Sequence, residues 1–277
     1  MKIIKYFIPY VIIGSFSYLF AKDGLQYSSP FTFMALRFLI VFLIFYFILN
    51  GKIIINKDIL LLSVFTFTST TFWILGMIYV SPAESAILSY TMPLFSVPFT
   101  NLILKEKAGN LEILGISIGF LGVVIYSFPT ILKGLEILGS ILTIINAMFW
   151  ALFTIYFRKL RNFRAIDINT SQFLIATIFF SLLSIFDFSV NFSLRFLVDL
   201  LYVSLLGAGA LFYLWNSMVR MEKIAKVTVL TFAVPALTQV LDIVILGVYP
   251  SIYQIIGSIV MFIGILLSRL NEIIKVH

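Results

Sequence analysis

Ser89, Pro93, Ser96 and Thr100 follow one another at steps of 4, 3 and 4 residues inside a long apolar run. That spacing puts three hydroxyls and a proline on one face of a helix. A proline has no N–H to give and clashes with the preceding turn, so it frees a carbonyl about one turn earlier. Such a face offers hydrogen-bonding groups without a formal charge. A second run repeats the steps with Thr231, Pro235, Thr238 and Asp242. A third carries Thr143, Asn146, Trp150 and Thr154 on one face, and an amide there is costly in lipid unless it meets protein or water. Thr70 and Trp73, Trp215 and Asn216, and also Tyr90 and Gln239, complete the set expected to line a cavity. These groups can bond and stack on a small molecule. They form no cysteine nucleophile and no His-based catalytic triad, because the chain has no cysteine and its one histidine is the terminal His277. Thiolate metal sites, Fe–S clusters, cysteine nucleophiles and His-based sites are thereby excluded. No Gly-rich phosphate loop ending in Lys-Ser or Lys-Thr is present either. The expectation is a protein with no catalytic residues, no bound metal and no cofactor, and not an enzyme.

Asp242 stands within an apolar run and has two readings. It is a carboxylate that couples to a proton or other ion, or a residue near a helix end that reaches water or caps a neighbour. Arg37, also near a helix end, is its candidate ion-pair partner.

The elements that must hold these residues follow from composition. Of 277 residues 61% are hydrophobic and 11% charged, against about 25% charged in an ordinary soluble domain. A soluble globule needs a charged surface, and disorder needs low hydrophobicity, so the chain belongs in a lipid bilayer. A span takes roughly 20 apolar residues, which leaves room for ten and for no large soluble domain. The apolar runs predict spans over 6–21, 31–49, 59–80, 84–104, 111–128, 135–157, 170–187, 196–219, 226–246 and 253–270. Continuous rather than alternating runs indicate helices, not a barrel.

Charge orients the spans. With the N-terminus inside, fifteen Lys and Arg fall on the inner side and four on the outer: Lys22, Arg37, Lys133 and Arg195. The excess places both termini in the cytoplasm. Topology then accounts for the net charge of +7, and no nucleic-acid partner is expected.

Residues 142 apart match without a gap over about fifty positions: Trp73 with Trp215, Pro93 with Pro235, Gly115 with Gly257, Gly122 with Gly264. A five-span unit is odd, so the second copy must enter the membrane inverted. The loop charges follow: Lys105-Glu106-Lys107 corresponds to the uncharged Gly247-Val248-Tyr249. The fold expected is all-α, ten transmembrane helices in two inverted five-helix repeats, 1–130 and 131–277, around a central cavity. Small residues at Gly115, Gly119, Gly122, Gly257 and Gly264 predict close helix packing.

The stretch Ser29-Pro30 through Ala35-Leu36-Arg37-Phe38 resembles the second-helix signature of the EamA family of the drug/metabolite transporter superfamily. Ala83-Glu84-Ser85-Ala86-Ile87-Leu88-Ser89-Tyr90-Thr91-Met92-Pro93 resembles the passage around helices three and four, and Leu104-Lys105-Glu106 with Leu114-Gly115 and Leu121-Gly122 the end of helix four and helix five. The second copy departs from the pattern: Val248 stands where the first has Glu106, and no arginine clearly matches Arg37. The resemblance implies a plasma-membrane permease for small metabolites, often an exporter of amino acids or related amphipathic or aromatic compounds. Its partners would be that substrate, the bilayer and a coupling proton or other ion. The sequence specifies no oligomeric state. A flippase for a lipid or lipid precursor is the alternative, ahead of a structural or signalling membrane protein.

Overall fold

The computed structural model describes residues 3–129 and 134–274. The repeat boundary at 130/131, and Lys2, Lys133, Lys275 and His277, lie outside the described residues. The helices are α1 (Ile4–Gly24), α2 (Pro30–Ile48), α3 (Lys57–Tyr79), α4 (Pro82–Leu104), α5 (Asn110–Ser127), α6 (Gly134–Lys159), α7 (Ala165–Asp187), α8 (Leu194–Met221), α9 (Ile224–Leu246) and α10 (Ile252–Ile274). Among the described residues nine, α1 to α9, are long and apolar enough to cross a membrane, and α10 carries a shorter apolar stretch, Ile252–Gly264. No strand forms among them beyond one isolated bridge, Ser28 with Val190.

Local chemistry sets the helix ends. Asn56 Oδ1 accepts from the Ile59 N–H (2.9 Å) to start α3, and Ser193 Oγ accepts from Phe196 N–H (3.1 Å) to start α8. Ser81 and Glu84 form a reciprocal capping box at α4, with Pro82 in the first turn, where its missing N–H costs nothing. Lys105 and Gly247 end α4 and α9 in left-handed conformations, φ 55° and 66°. They occupy matched positions, 142 apart.

The proline-bearing helices are each interrupted at mid-length. α4 breaks between Ser89 and Met92, α9 between Leu230 and Ala233. A three-residue turn replaces the helical bond in each: Thr91 N–H reaches Leu88 O (3.2 Å), and Thr231 N–H reaches Thr228 O (3.3 Å). The threonine hydroxyls donate to the same carbonyls, at 2.7 and 2.6 Å. Pro93 and Pro235 sit just beyond, where no N–H is available to continue the ladder.

The helices pack in pairs drawn from both halves: α3 with α6, α1 with α8, α2 with α7, and α5 with α10. The α5–α10 contact is backbone to backbone. A Cβ on Gly264 would stand 2.5 Å from the Gly115 carbonyl oxygen, and one on Gly257 2.6 Å from that of Gly122. Ion pairs close the helix ends. Lys159 Nζ meets Asp58 Oδ1 (2.8 Å), joining the end of α6 to the start of α3. Arg195 Nε meets Asp23 Oδ2 (2.5 Å), joining the start of α8 to the end of α1. Arg158 Nη2 meets Glu106 Oε2 (3.0 Å), and Glu106 Oε1 accepts from Ile224 N–H (3.3 Å), so one carboxylate ties α4, α6 and α9.

Candidate functional site

A cavity of about 80 Å³ opens between α1, α2, α3, α4, α6 and α8. That is several times the roughly 10–15 Å³ one water needs. Aromatic rings form much of its wall. Trp73 meets Tyr18 edge-on (centroids 5.8 Å), and Trp150 meets Phe212 edge-on (5.1 Å). The hydroxyls of Tyr10 and Tyr90 pair at 3.1 Å.

A polar relay stiffens one side. Ser69 Oγ donates to Asn146 Oδ1 (2.7 Å), and Asn146 Nδ2 donates to Ser89 Oγ (3.0 Å). Three helices, α3, α6 and α4, are thereby locked around one amide. Arg37 reaches in from α2, 4% exposed. Its Nε donates to Val203 O (3.2 Å) and its Nη2 to Gly207 O (3.1 Å), while the guanidinium lies 5.1 Å from the Trp73 ring centroid. The two carbonyls belong to the π-helical stretch Tyr202–Ala210 of α8, whose wider turn disturbs the regular ladder.

Of the residues expected to line a cavity, Thr70, Trp73, Ser89, Tyr90, Asn146 and Trp150 come together here, with Arg37 beside them. Trp215 stands one layer behind. Its ring lies 6.4 Å from Trp150 and 5.4 Å from Tyr10, and its Nε1 donates to Thr154 Oγ1 (3.0 Å). Asn216 belongs to a separate buried chain: its Nδ2 donates to Asn169 Oδ1 (3.0 Å), which also accepts from Gln172 Nε2 (2.7 Å). Pro93, Thr231, Pro235, Gln239 and Asp242 are not in the wall. The α9 stripe turns toward α1, α4 and α10 instead. Ser15 Oγ donates to Val234 O (3.1 Å), and Ser258 Oγ to Gln239 Oε1 (2.9 Å).

The Arg37–Asp242 pair does not form, because other partners hold the two charges. Asp242 is 3% exposed, and its Oδ2 accepts from Ala83 N–H (3.2 Å) in the first turn of α4. Of its two readings, capping a neighbour is the one the geometry displays. Its Oδ1 has no hydrogen-bond partner.

The wall also contains residues that spacing did not single out: Tyr10, Gly14, Ser17 and Tyr18 of α1, and Gly207, Leu211 and Phe212 of α8. The signal in α1 was present. Steps of 4, 3 and 1 put Tyr10, Gly14, Ser17 and Tyr18 on one helix face.

Residues 1–128 and, separately, 137–270 match the EamA-like transporter family. The "Uncharacterized transporter in sor 3'region" of Acidianus ambivalens is 52% identical over 243 residues, 87% of this chain and 94% of that one. An "Uncharacterized transporter" of Archaeoglobus fulgidus is 26% identical over 277 residues, 95% of each. A solved crystal structure superposes with a TM-score of 0.79 over 98% of this chain and 97% of its own, at 18% identity, and so shares the fold. A chain whose described residues are all-helical, with nine helices among them long and apolar enough to cross a membrane, and which the family matches twice along its length, is a multi-pass membrane transporter, and it belongs to the EamA-like transporter family.

Proposed function

We propose that this chain is a secondary transporter that moves small metabolites by alternating access, exporting amino acids or related amphipathic and aromatic compounds across the plasma membrane. The observation that carries the reading is the cavity. It is walled by Trp73, Trp150, Tyr18 and Phe212, and helices from both halves build it. An apolar wall with few convergent polar groups is the ordinary make-up of a small-molecule site. The reading needs no reacting group, and we take the chain to be a permease rather than an enzyme.

In this reading α10 is the tenth crossing, and the two halves are inverted repeats. Several features support that. The family matches each half separately. The pairing of α3 with α6 has its counterpart in α8 with α1 when α1–α5 exchange with α6–α10. The end clasps obey the same exchange with their charges reversed: acid on α3 with lysine on α6, arginine on α8 with acid on α1. The two interrupted helices, α4 and α9, are then equivalent hinges. Inverted halves give two arrangements of similar energy, each exposing the site to one side. Thr70, Trp73, Ser89, Tyr90, Asn146 and Trp150 form the substrate wall, and the excess of inner-loop cations puts both termini in the cytoplasm.

Counterflow in proteoliposomes tests the reading. Vesicles holding purified protein and an unlabelled metabolite panel should accumulate labelled solute, and Trp150→Ala should reduce the rate at least tenfold. No movement of any metabolite, with translocation of a fluorescent lipid analogue, would overturn it in favour of a flippase.

A further inference from the structure

Arg37 is the one charged side chain among the described residues that line the cavity. The other polar groups of the wall are neutral hydroxyls and one amide, and several are already engaged. The hydroxyl hydrogens of Ser17 and Thr70 go to carbonyls of their own helices, Ile13 O and Thr66 O, each at 2.7 Å. The Asn146 amide is engaged on both sides by Ser69 and Ser89. A guanidinium has five N–H donors and cannot be deprotonated in a protein. Two of these reach the Val203 and Gly207 carbonyls, and Nη1 faces the Met34 sulfur at 3.8 Å. The remaining donors are available to an acceptor in the cavity. Carbonyl dipoles and the Trp73 face soften the cost of burying the cation, but no carboxylate of the wall neutralises it. A buried charge without a counter-ion is costly, and an entering anion would repay that cost.

We infer that the cavity takes an organic monocarboxylate: an anionic head bound through Arg37 and an apolar or aromatic body against Trp73, Trp150 and Phe212. This rests on the reading of the cavity as the substrate site and specifies the cargo. One guanidinium suits one carboxylate, presented to a planar fork of donors. A phosphate ester would bring a second negative charge with no second cation to meet it. A cationic amine would place like charge beside Arg37.

The three tryptophans of the chain stand in the wall or one layer behind it, so their fluorescence reports occupancy. The purified protein is titrated with 3-phenylpropionate, 3-phenylpropionamide and 2-phenylethylammonium, and with a panel of aliphatic and aryl carboxylates. Wild-type protein should bind the acid at least tenfold more tightly than the amide and give no saturable quenching with the ammonium. Arg37→Lys should keep that order, and Arg37→Gln should level acid and amide. Because Arg37 also braces α8, the wild-type comparison stands whether or not either variant folds. Amide or ammonium binding as tightly as acid to the wild type would overturn the inference. So would an acid preference that survives Arg37→Gln, or no binding by any carboxylate of the panel. The same compounds in the counterflow assay separate the two ideas. Acid that quenches but is never moved counts against transport and leaves the anion site. Solute movement confined to neutral or cationic compounds counts against the anion site and leaves transport.

Discussion

Asp199 shows how a single side chain can be held against its own interest. It is fully buried on α8, and both carboxylate oxygens lack a hydrogen-bond partner. Arg195 Nε lies 3.8 Å from Oδ1, yet the same nitrogen bonds Asp23 Oδ2 much more closely. One cation is therefore divided between two carboxylates, and the buried one has the poorer share. A buried acceptor without a donor costs about 1–3 kcal/mol. Asp199→Asn keeps the shape, removes the charge and supplies an N–H₂ beside Asp23. It should raise the stability of the detergent-solubilised protein by about 1 kcal/mol, read as an upward shift of the thermal midpoint by intrinsic fluorescence. A lower midpoint would mean that the 3.8 Å contact with Arg195 outweighs the missing hydrogen bonds. At the same scale Arg37 corrects the sequence reading. Position along the chain sets it near a helix end, but its long side chain extends into the cavity and caps carbonyls on another helix.

At the scale of elements, the α5–α10 pair depends on glycine because two backbones touch. An added methyl on Gly264 would meet the Gly115 carbonyl oxygen at 2.5 Å and the Gly119 N–H nitrogen at 2.7 Å. Backbone atoms cannot swing aside as a side chain would, so the helices must part. Gly264→Ala should cost about 1–3 kcal/mol, the range for overpacking, and lower the thermal midpoint while single-span insertion is unaffected. An unchanged midpoint would show that the pair separates freely. This contact was legible in the sequence, since matched glycines at Gly115, Gly122, Gly257 and Gly264 leave few other uses for themselves in lipid. The breaks in α4 and α9 were legible too, because a proline acts locally. The direction in which the α9 stripe points was not. A helix in lipid is apolar on nearly every side, so its hydropathy pattern does not say which side meets protein. Thr231, Pro235, Thr238 and Asp242 share a spacing with the α4 set, yet only α4 contributes to the cavity wall. The start of α7 was obscured for the opposite reason. Asp167 and Asn169 look too polar for a span, and they are buried because they find partners there: Lys52 N–H donates to Asp167 Oδ1 (2.9 Å), and Asn216 Nδ2 to Asn169 Oδ1 (3.0 Å).

The whole molecule is polarised by its ends. The clasps Lys159–Asp58 and Arg158–Glu106 gather where α3 and α9 begin and where α4 and α6 finish, and the Arg195–Asp23 clasp lies where α1 finishes and α8 begins. Helices of alternating direction put these groups on opposite membrane faces. The first face carries Arg158, Lys159, Arg161 and Arg164 within seven residues, and an excess of Lys and Arg marks the cytoplasmic side. The absence of cysteine makes the orientation directly testable, because any introduced thiol is the only one. Asn162, in the exposed turn between α6 and α7, and Asn191, in the exposed segment between α7 and α8, are separated by a single helix. In intact cells a membrane-impermeant maleimide should label Asn191→Cys and leave Asn162→Cys unreacted until the cells are lysed. The reverse pattern would invert the molecule in the membrane and leave its fold untouched. Labelling of both from outside would mean that α7 does not cross, and with it the five-helix unit and its inversion would fail.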